Sequence, residues 1–229
     1  MHITMASWNI WGGIFLPSVI EFLKKINADV VALQEVEEAF GTNTAQDIAK
    51  RLGYSFVYTR SMEYESDGKK TYRGNAVLSK YPIIKSTPII LSTEQSRTAI
   101  QADIAVGDNM LHVVSVHLLH AHQQESLVQV EQANTLLESI PKERTVIMGD
   151  FNALPTSKAI QMMRSALNDS DLSNKSTWCL YPDGCAVCKP DKVQWKLDYL
   201  FSTSDLTAND FTVGDSRGSD HLPITATLV

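Results

Sequence analysis

The chain has 229 residues, of which 44% are hydrophobic and 20% are charged, and its formal net charge is −6. These values exclude intrinsic disorder, collagen and a coiled coil as the main state of the protein. The negative charge argues against a broad basic surface that would grip nucleic acid. No apolar run reaches the ~18–20 residues of a membrane span, so we expect no transmembrane helix.

The first half of the chain alternates between predicted strands and helices. The predicted elements are a strand at 3–8, a helix at 17–27, a strand at 29–33, a helix at 44–52 and a strand at 54–59. Asn27 and Gly53 close the two helices, and the run at 29–33 is apolar, as in a strand buried on both faces. We interpret the polar stretch from Ser61 to Tyr72 as a solvated loop.

The second half of the chain is richer in strands. They are predicted at 100–106, 111–118, 145–148, 197–201, 211–213 and 224–228. The turn Gly107-Asp108-Asn109 joins the first two strands into a hairpin. A helix at 123–140, with Leu127 and Leu136 on one apolar face, ends at Pro141. The chain has no internal repeat or linker, so we expect one domain over residues 1–229, of the α/β or α+β class.

Three cysteines, Cys179, Cys185 and Cys188, lie close together in the sequence. Their odd number favours a reducing compartment over a disulfide framework. The C-x5-C-x2-C spacing is compatible with zinc, but a fourth ligand is missing nearby, so we favour loop or packing thiols over a structural zinc site. A single disulfide with one free thiol stays open as a further interpretation.

The N-terminus lacks a basic segment followed by an apolar stretch, so it does not resemble a signal peptide. We therefore expect a cytoplasmic protein, or a secreted one if a signal peptide has been removed. We also expect the protein to be a monomer.

Polar side chains follow apolar strands at six places along the sequence. Strand ends are rigid supports, so groups placed there can converge on one site. One such residue alone is usually a turn former or a hydrogen-bonded histidine, but six places together favour a functional site. These residues are Asn9, Glu35, His117, Asp150 with Asn152, Asp198, and Asp220 with His221.

These residue types suit the hydrolysis of a phosphate ester. Carboxylate and carbonyl oxygens bind hard divalent cations such as Mg²⁺ or Mn²⁺, and no cysteine lies among them, which disfavours zinc. A carboxylate beside the cation can deprotonate a water, and a histidine paired with an aspartate can stabilise charge on the phosphate or protonate the leaving oxygen. An asparagine amide can donate to a phosphate oxygen without adding charge.

Seven motifs occur in order along nearly the whole chain: WN at 8–9, LQEV at 33–36, GNAVLSKYPI at 74–83, SVHL at 115–118, GDFN at 149–152, LDYLF at 197–201 and SDHLPI at 219–224. In this order they resemble the endonuclease/exonuclease/phosphatase superfamily, the DNase I-like metal-dependent phosphoesterases. The resemblance implies a four-layer α/β (α+β) sandwich, in which two packed, mostly antiparallel sheets are flanked by helices.

The resemblance also implies a metal site and a cofactor. Glu35 matches the main metal-binding glutamate of the family. Asn9 resembles the asparagine that helps to hold metal or phosphate, and Asp220 resembles a further metal-site carboxylate. A Mg²⁺ (or Mn²⁺) cofactor and a phosphate-ester substrate, which includes DNA or RNA, follow from this resemblance.

Five further residues match catalytic groups of the family. Asp150 resembles the aspartate that activates the attacking water, and Asn152 the amide that steadies the scissile phosphate. His221 resembles the catalytic histidine, with Asp198 as its orienting partner. His117 matches a second histidine that many members carry.

Surface loops set the substrate in folds of this kind. Arg73 and Asn75 are the predicted substrate contacts outside the shared core. Ser61–Arg73 and Trp178–Lys196 are the candidate substrate loops, the second because its tryptophans and lysines could stack bases and meet phosphates. Buried tryptophans and solvated lysines are the equal alternative. We expect Lys196 to replace the arginine that many members carry before the LDY-like segment.

The sequence thus predicts a divalent-metal-dependent phosphodiesterase that acts on nucleic acid or on a nucleotide. The first alternative is a phosphatase or phosphodiesterase for a small-molecule, sugar or lipid phosphate. The second is a non-catalytic binding member of the family. We interpret His120 and His122, which follow His117 closely, as loop residues before a helix rather than as metal ligands.

Overall fold

Helix boundaries in this protein fall at residues that can end a helix. The computed structural model describes residues 2–66 and 68–229, and its α-helices there are Leu16–Ile26 (α1), Thr44–Leu52 (α2), Leu127–Ser139 (α3) and Lys158–Ala166 (α4). Asn27 and Gly53 lie just beyond α1 and α2 with left-handed φ values of 50° and 76°, a conformation that closes helices. Both predicted helix ends are confirmed.

Helix α3 is shorter than predicted. Its first turn is capped by Ser126, whose hydroxyl accepts a hydrogen bond from the Gln129 amide, so the helix begins at Leu127. Leu127 is 74% exposed, and its expected place on the apolar face is therefore wrong, whereas Leu136 is buried. None of the helices in the described residues is long and apolar enough to cross a membrane.

Thirteen strands lie within the described residues. In chain order they are Ile3–Asn9 (β1), Val30–Ala39 (β2), Thr42–Asn43 (β3), Ser55–Ser66 (β4), Lys69–Ser79 (β5), Ile83–Ser92 (β6), Arg97–Val106 (β7), Asn109–His117 (β8), Thr145–Asp150 (β9), Asn168–Asp169 (β10), Asp198–Ser202 (β11), Ala208–Val213 (β12) and Ile224–Leu228 (β13). The seven-stranded sheet has the order β12-β13-β1-β2-β5-β4 with β3 beside β2, and the six-stranded sheet has the order β10-β11-β9-β8-β7-β6. The pairs β1–β2 and β8–β9 are parallel, so both sheets are mixed.

The two sheets pack face to face, and helices cover their outer faces. On β2, Val30 and Ala32 belong to the core between the sheets, whereas Val31 and Leu33 belong to the core beneath α1 and α2. The alternation of one wholly apolar strand therefore fills two layers of core. A separate apolar cluster joins the outer face of the six-stranded sheet to α3 and α4. The four-layer sandwich implied by the resemblance is confirmed.

The interpretation of residues 61–72 as a loop is wrong. This stretch belongs to β4 and β5, which pair as an antiparallel hairpin out to Ser66 and Lys69. Tyr64 is half-buried while its neighbour Glu63 is exposed, so the polar composition conceals an alternating strand. One of the two candidate substrate loops is therefore a β-ribbon.

Polar strand ends meet at one edge of the sandwich. Asn9 of β1 is level with Gln34 of β2, and His117 of β8 is level with Asp150 of β9. Asn9 contacts Asp150 across the two sheets, so both parallel pairs end at the same edge. Asp198 begins β11 directly opposite Asp150.

Candidate active site

Asp150, at the end of β9, lies at the centre of a cleft of about 290 Å³. Its Oδ2 lies 3.1 Å from Asn9 Nδ2, and 3.4 Å and 3.5 Å from the Nε2 atoms of His117 and His221. Its Oδ1 accepts a hydrogen bond from the Asn152 backbone amide at 2.8 Å. Burial raises the pKa of Asp150 above its usual range, although His221 opposes this effect. A carboxylate with a raised pKa is a stronger base toward water.

His221 and Asp198 form a buried ion pair beside Asp150. His221 Nδ1 lies 2.9 Å from Asp198 Oδ2. Burial favours the neutral imidazole, but the carboxylates of Asp198, Asp150 and Asp220 outweigh it and raise the pKa of His221 to about 10. The imidazolium therefore persists at neutral pH. Asp198 Oδ1 is buried and has no hydrogen-bond partner among the described residues.

Glu35 lies on the side of the cleft formed by the seven-stranded sheet. Its Oε1 accepts from Asn9 Nδ2 at 3.2 Å, and its Oε2 accepts from Arg73 Nη1 at 2.5 Å. The φ of Glu35 is 53°, a left-handed value that is uncommon for a non-glycine residue, and the β2–β5 register shifts between Leu33 and Val36. This bulge interrupts the apolar alternation of β2 where the carboxylate enters the cleft.

His117 and Asn152 are held together by hydrogen bonds. Asn152 Nδ2 lies 2.9 Å from His117 Nε2 and donates to the Leu118 carbonyl at 3.2 Å, and Asn152 Oδ1 lies 2.8 Å from His120 Nδ1. Burial, with nearby positive charges, lowers the pKa of His117 well below its usual range, so this ring is neutral. Its Nε2 can therefore accept a hydrogen bond from the Asn152 amide.

Asp220 lines the same cleft but its carboxylate is supported from behind. Asp220 Oδ2 accepts from Trp178 Nε1 at 2.8 Å, and Oδ1 accepts from Ser219 Oγ at 3.2 Å. Each oxygen keeps a further lone pair that a cation could use. Trp178 is 2% exposed, and its ring lies 5.9 Å from that of His221. Of the two interpretations of Trp178, the buried one is confirmed.

Two buried arginines reach the cleft, and the sequence patterns pointed only to Arg73. Arg97 is 5% exposed, and its Nε and Nη1 have no hydrogen-bond partner within the described part of the chain. Burial lowers the pKa of Arg97 against the attraction of Glu35 and Asp150. A buried guanidinium with free donors is a site that an anionic group can satisfy. The sequence carries no signal for Arg97, which precedes a half-polar strand as many surface arginines do.

The other two expected basic or polar contacts differ in position. Asn75 is buried beside Arg73, donates to the Thr98 carbonyl at 2.7 Å and borders the floor of the cleft. Lys196 is 2% exposed and donates to the backbone carbonyl and the carboxylate of Asp171 at 2.8 Å and 3.1 Å. The expectation that Lys196 contacts substrate is therefore wrong, because its ammonium is committed to a buried ion pair.

The donor atoms around Asp150 fit a hard divalent cation. Glu35, Asp150 and Asn9 converge through contacts of 3.1 and 3.2 Å and offer carboxylate and amide oxygens without sulfur. Asp150, Asp198 and His221 also bring one ligand atom each to within 4.8 Å of one another. The cleft has room for a phosphate group and several waters, at ~30 Å³ for each water.

An aromatic wall borders the cleft. The rings of Trp11 and Tyr181 are stacked with centroids 6.0 Å apart, and Phe15 lies 5.4 Å from Tyr181. Trp11 lines the cleft, and Phe15 is 37% exposed. Sequence reasoning missed this wall because Trp11 and Tyr181 lie far apart in the chain.

Comparison with curated proteins gives a family but no named activity. A model described as the Endonuclease/Exonuclease/phosphatase family matches residues 6–221 of this chain. The uncharacterized protein YbhP of Escherichia coli (strain K12) is 28% identical over 155 residues. The match covers 60% of this chain, and the chain spans only 58% of the length of that relative.

Comparison with solved structures gives the same fold. The endonuclease/exonuclease/phosphatase from Beutenbergia cavernae DSM 12333 has a TM-score of 0.81 at 18% identity, over 99% of this chain and 71% of that one. ANGEL2, a 2',3'-cyclic phosphatase, has a TM-score of 0.80 at 15% identity, over 100% of this chain and 95% of that one. The family match supports a hydrolase of phosphate esters, in a family whose enzymes commonly use divalent metals. The chain belongs to the endonuclease/exonuclease/phosphatase family.

Proposed function

We propose that the protein is a Mg²⁺-dependent (or Mn²⁺-dependent) phosphodiesterase that acts on nucleic acid or on a nucleotide. The observation that carries the proposal is the position of Asp150, within 3.5 Å of Asn9, His117 and His221. Oxygen ligands lie on one side of this buried base and a charged histidine on the other. Attack of water on a phosphate needs both kinds of group.

Glu35, Asn9 and Asp220 are the proposed metal-binding residues. A divalent cation bound there would offset the charge of a phosphate oxygen and lower the pKa of a bound water. Arg73 already contacts Glu35 at 2.5 Å, so its guanidinium stands next to this position. From there Arg73 can donate to the phosphate as well.

Asp150 is the proposed general base, which takes a proton from the attacking water. His221, kept protonated by its carboxylate neighbours, stabilises the negative charge that develops on the phosphate oxygens and gives a proton to the leaving oxygen. Asp198 is a positioning residue, since its contact with Nδ1 leaves Nε2 of His221 facing the cleft.

Arg97 and Asn152 are proposed to hold the scissile phosphate. The two unpaired nitrogens of Arg97 supply donors that need no rearrangement. Asn152 can supply an amide hydrogen by exchanging its contact with the Leu118 carbonyl for one with the phosphate. Its second hydrogen keeps the neutral His117 in place, so we propose that Asn152 and His117 act as a pair.

A nucleotide or an accessible end of a nucleic acid suits this surface better than a long duplex. Surfaces that hold duplex are usually basic, whereas this chain carries a net charge of −6. The aromatic wall of Trp11, Phe15 and Tyr181 offers faces on which a base can stack. The alternative is a phosphatase or phosphodiesterase for a small-molecule, sugar or lipid phosphate, which the same phosphate contacts would serve.

We also propose that residues 1–229 act as one catalytic domain. The proposed site takes residues from both ends of the chain, Asn9 and His221, and from both sheets. Neither half of the sequence holds the whole set.

A hydrolysis panel tests this function and its alternatives. The protein is assayed with Mg²⁺ and with Mn²⁺ on single- and double-stranded DNA, RNA, cyclic and linear nucleotides, sugar phosphates and phospholipids, and Asp150→Asn serves as the control. We expect turnover of a nucleotide or nucleic-acid ester by the wild-type protein only. Turnover confined to sugar or lipid phosphates would establish the first alternative. Binding without turnover of any ester would establish the non-catalytic one.

A further inference from the structure

Four metal-binding side chains from two distant segments meet beside the cleft. His120 and His122 belong to the irregular segment between β8 and α3, and Cys185 and Cys188 belong to the segment between β10 and β11. One donor atom from each, His120 Nε2, His122 Nδ1 and the two Sγ atoms, lies within 4.8 Å of all the others. The interpretation of these residues as simple loop residues and packing thiols did not anticipate this meeting.

The separations of the donor atoms match a tetrahedral zinc site. Cys185 Sγ lies 3.9 Å and 3.7 Å from the nitrogens of His120 and His122, and Cys188 Sγ lies 3.7 Å and 3.5 Å from them. Tetrahedral bonds of ~2.3 Å to sulfur and ~2.0 Å to nitrogen place these atoms about 3.6 Å apart. We propose that the four side chains bind one Zn²⁺ ion in a closed Cys2His2 site.

The turn between Cys185 and Cys188 has the features of a thiolate-binding turn. Both cysteines are free, and the Cys188 backbone amide donates to Cys185 Sγ at 3.1 Å. Such an amide donor stabilises a negatively charged sulfur. The two sulfurs lie 2.8 Å apart. A change of χ1 at one cysteine is enough to reach the roughly 3.8 Å that two zinc-bound sulfurs require.

His120 is oriented as a metal-bound histidine would be. Its Nδ1 lies 2.8 Å from Asn152 Oδ1, and that oxygen is an acceptor only, so Nδ1 carries the hydrogen and the Nε2 lone pair faces the cysteines. The opposite orientation of the Asn152 amide is disfavoured, because its Nδ2 donates to the Leu118 carbonyl. Metal-bound histidines commonly donate their other ring N–H in this way, which fixes the ring.

The ligand types separate this site from the oxygen-rich cleft. Two thiolates and two imidazoles select zinc over Mg²⁺, and four protein ligands leave no open position for a water, so the zinc would be structural. In the segment 178–196, the regular elements that the structure describes are a short 3₁₀ turn at Pro182–Gly184 and an isolated bridge between Trp178 and Trp195. Zinc would staple this segment to the rest of the fold.

The staple also reaches the catalytic groups, a consequence that rests on the proposed function. His120 bonds to Asn152, and Asn152 in turn bonds to His117. Zinc at His120 would therefore hold the pair of residues proposed to meet the phosphate. We expect zinc loss to lower kcat about tenfold, as changes in residues that support an active site commonly do.

Zinc content is the direct test and is independent of any activity. Wild-type protein purified under reducing conditions is expected to hold about one zinc per chain by elemental analysis. The double variant Cys185→Ser with Cys188→Ser and the single variant His122→Ala should each lose it. Cys179→Ser and His112→Ala, which lie outside the four-residue group, are the matched controls and should retain it. Cobalt exchanged into the wild-type site should show a thiolate-to-metal charge-transfer band that the double variant lacks.

Three results would overturn the zinc site. The first is wild-type protein that takes up no zinc from an excess of Zn²⁺ under reducing conditions, a result that needs no variant to fold. The second is a Cys185–Cys188 disulfide in protein whose free thiols were alkylated at lysis. The third is full zinc retention by the double serine variant, which would locate the ion elsewhere. Zinc-loaded protein that hydrolyses no phosphate ester would overturn the proposed function and leave the zinc site intact.

Discussion

Two buried charged clusters in this protein differ in how completely their polar atoms are paired. The first, called here the paired cluster, consists of Arg164, Asp169, Asp171 and Lys196. Lys196 donates twice to Asp171, Arg164 contacts Asp169 at 2.8 Å, and no atom of these four side chains is left buried without a partner in the described residues. It lies beneath the start of β11, away from the cleft.

The second, called here the cleft cluster, consists of Glu35, Arg97, Asp150, Asp198 and His221. It includes buried atoms without partners, Arg97 Nε and Nη1 and Asp198 Oδ1. Burying an unpaired charged group costs free energy that internal contacts do not offset, whereas a fully paired group largely recovers its lost hydration. The paired cluster is therefore expected to stabilise the fold, and the cleft cluster to await a ligand.

Replacement of the central base should have the largest effect on activity. Asp150→Asn is expected to lower kcat at least ~100-fold, as removal of a general base typically does. Its melting temperature should stay near that of the wild-type protein or rise, because a buried charge has been removed. Steady-state kinetics and thermal melts measure the two effects. A kcat close to that of the wild-type protein would remove Asp150 from the mechanism.

The paired cluster should show the opposite behaviour. Lys196→Met leaves Asp171 buried without its cation, so we expect a loss of about 3 kcal/mol in the free energy of unfolding. Turnover measured well below the melting temperature should be nearly unchanged. Urea unfolding and kinetics on the same preparation check this. Impaired turnover with unchanged stability would return Lys196 to the substrate site.

The same substitution at Arg97 provides the matched test in the cleft. Arg97→Met removes a buried cation with two unpaired nitrogens, so stability should be unchanged or increased. The KM for the phosphate ester should rise about tenfold to a hundredfold, the effect of losing a charged hydrogen bond. A destabilised variant with normal KM would show that Arg97 belongs with the structural ion pairs.

The smallest expected effect is the acid sensitivity of Asp171. Burial opposes ionisation there, but hydrogen bonds from Ser173 and the charge of Lys196 prevail and lower the pKa of Asp171 below its ordinary value of 3.8. A lowered pKa in the folded protein contributes stability above pH 3.8, and this contribution disappears as the pH falls through the lower folded value. Wild-type protein should exceed Asp171→Asn by about 1–2 kcal/mol at neutral pH.

Urea unfolding of both proteins between pH 7 and pH 3 measures this difference. The stability of the wild-type protein should approach that of the variant below pH 3.8. A difference that stays constant over this range would mean that the Asp171 carboxylate is not ionised in the ion pair.

Features of the fold with a local cause were predictable from the sequence. Asn27 and Gly53 end helices because the left-handed backbone suits them, and the apolar run of β2 marks a strand buried on both faces. The hairpin at residues 61–72 was missed because its outward side chains are charged and its inward ones only half-buried. Leu127 was misplaced because the Ser126 cap, rather than hydrophobic spacing, sets where α3 begins.

Features of the site that depend on tertiary contact were not predictable in the same way. Asp150 and His221 follow strands, and that local signal indicated them. Arg97 gives no local signal, since only the packing around it shows that its nitrogens lack partners. The histidines His120 and His122 lie more than sixty residues from Cys185, so no spacing rule connects them.

The dependence of phosphodiester hydrolysis on Mg²⁺ tests the central proposal most directly. Gel filtration into metal-free buffer removes weakly bound Mg²⁺ without the strong chelators that would also extract thiolate-bound zinc. We predict no turnover in that buffer, full recovery on adding Mg²⁺ or Mn²⁺, and a much higher Mg²⁺ requirement in Glu35→Gln. Turnover that continues at the same rate in metal-free buffer, or an identical Mg²⁺ requirement in the variant, would contradict it.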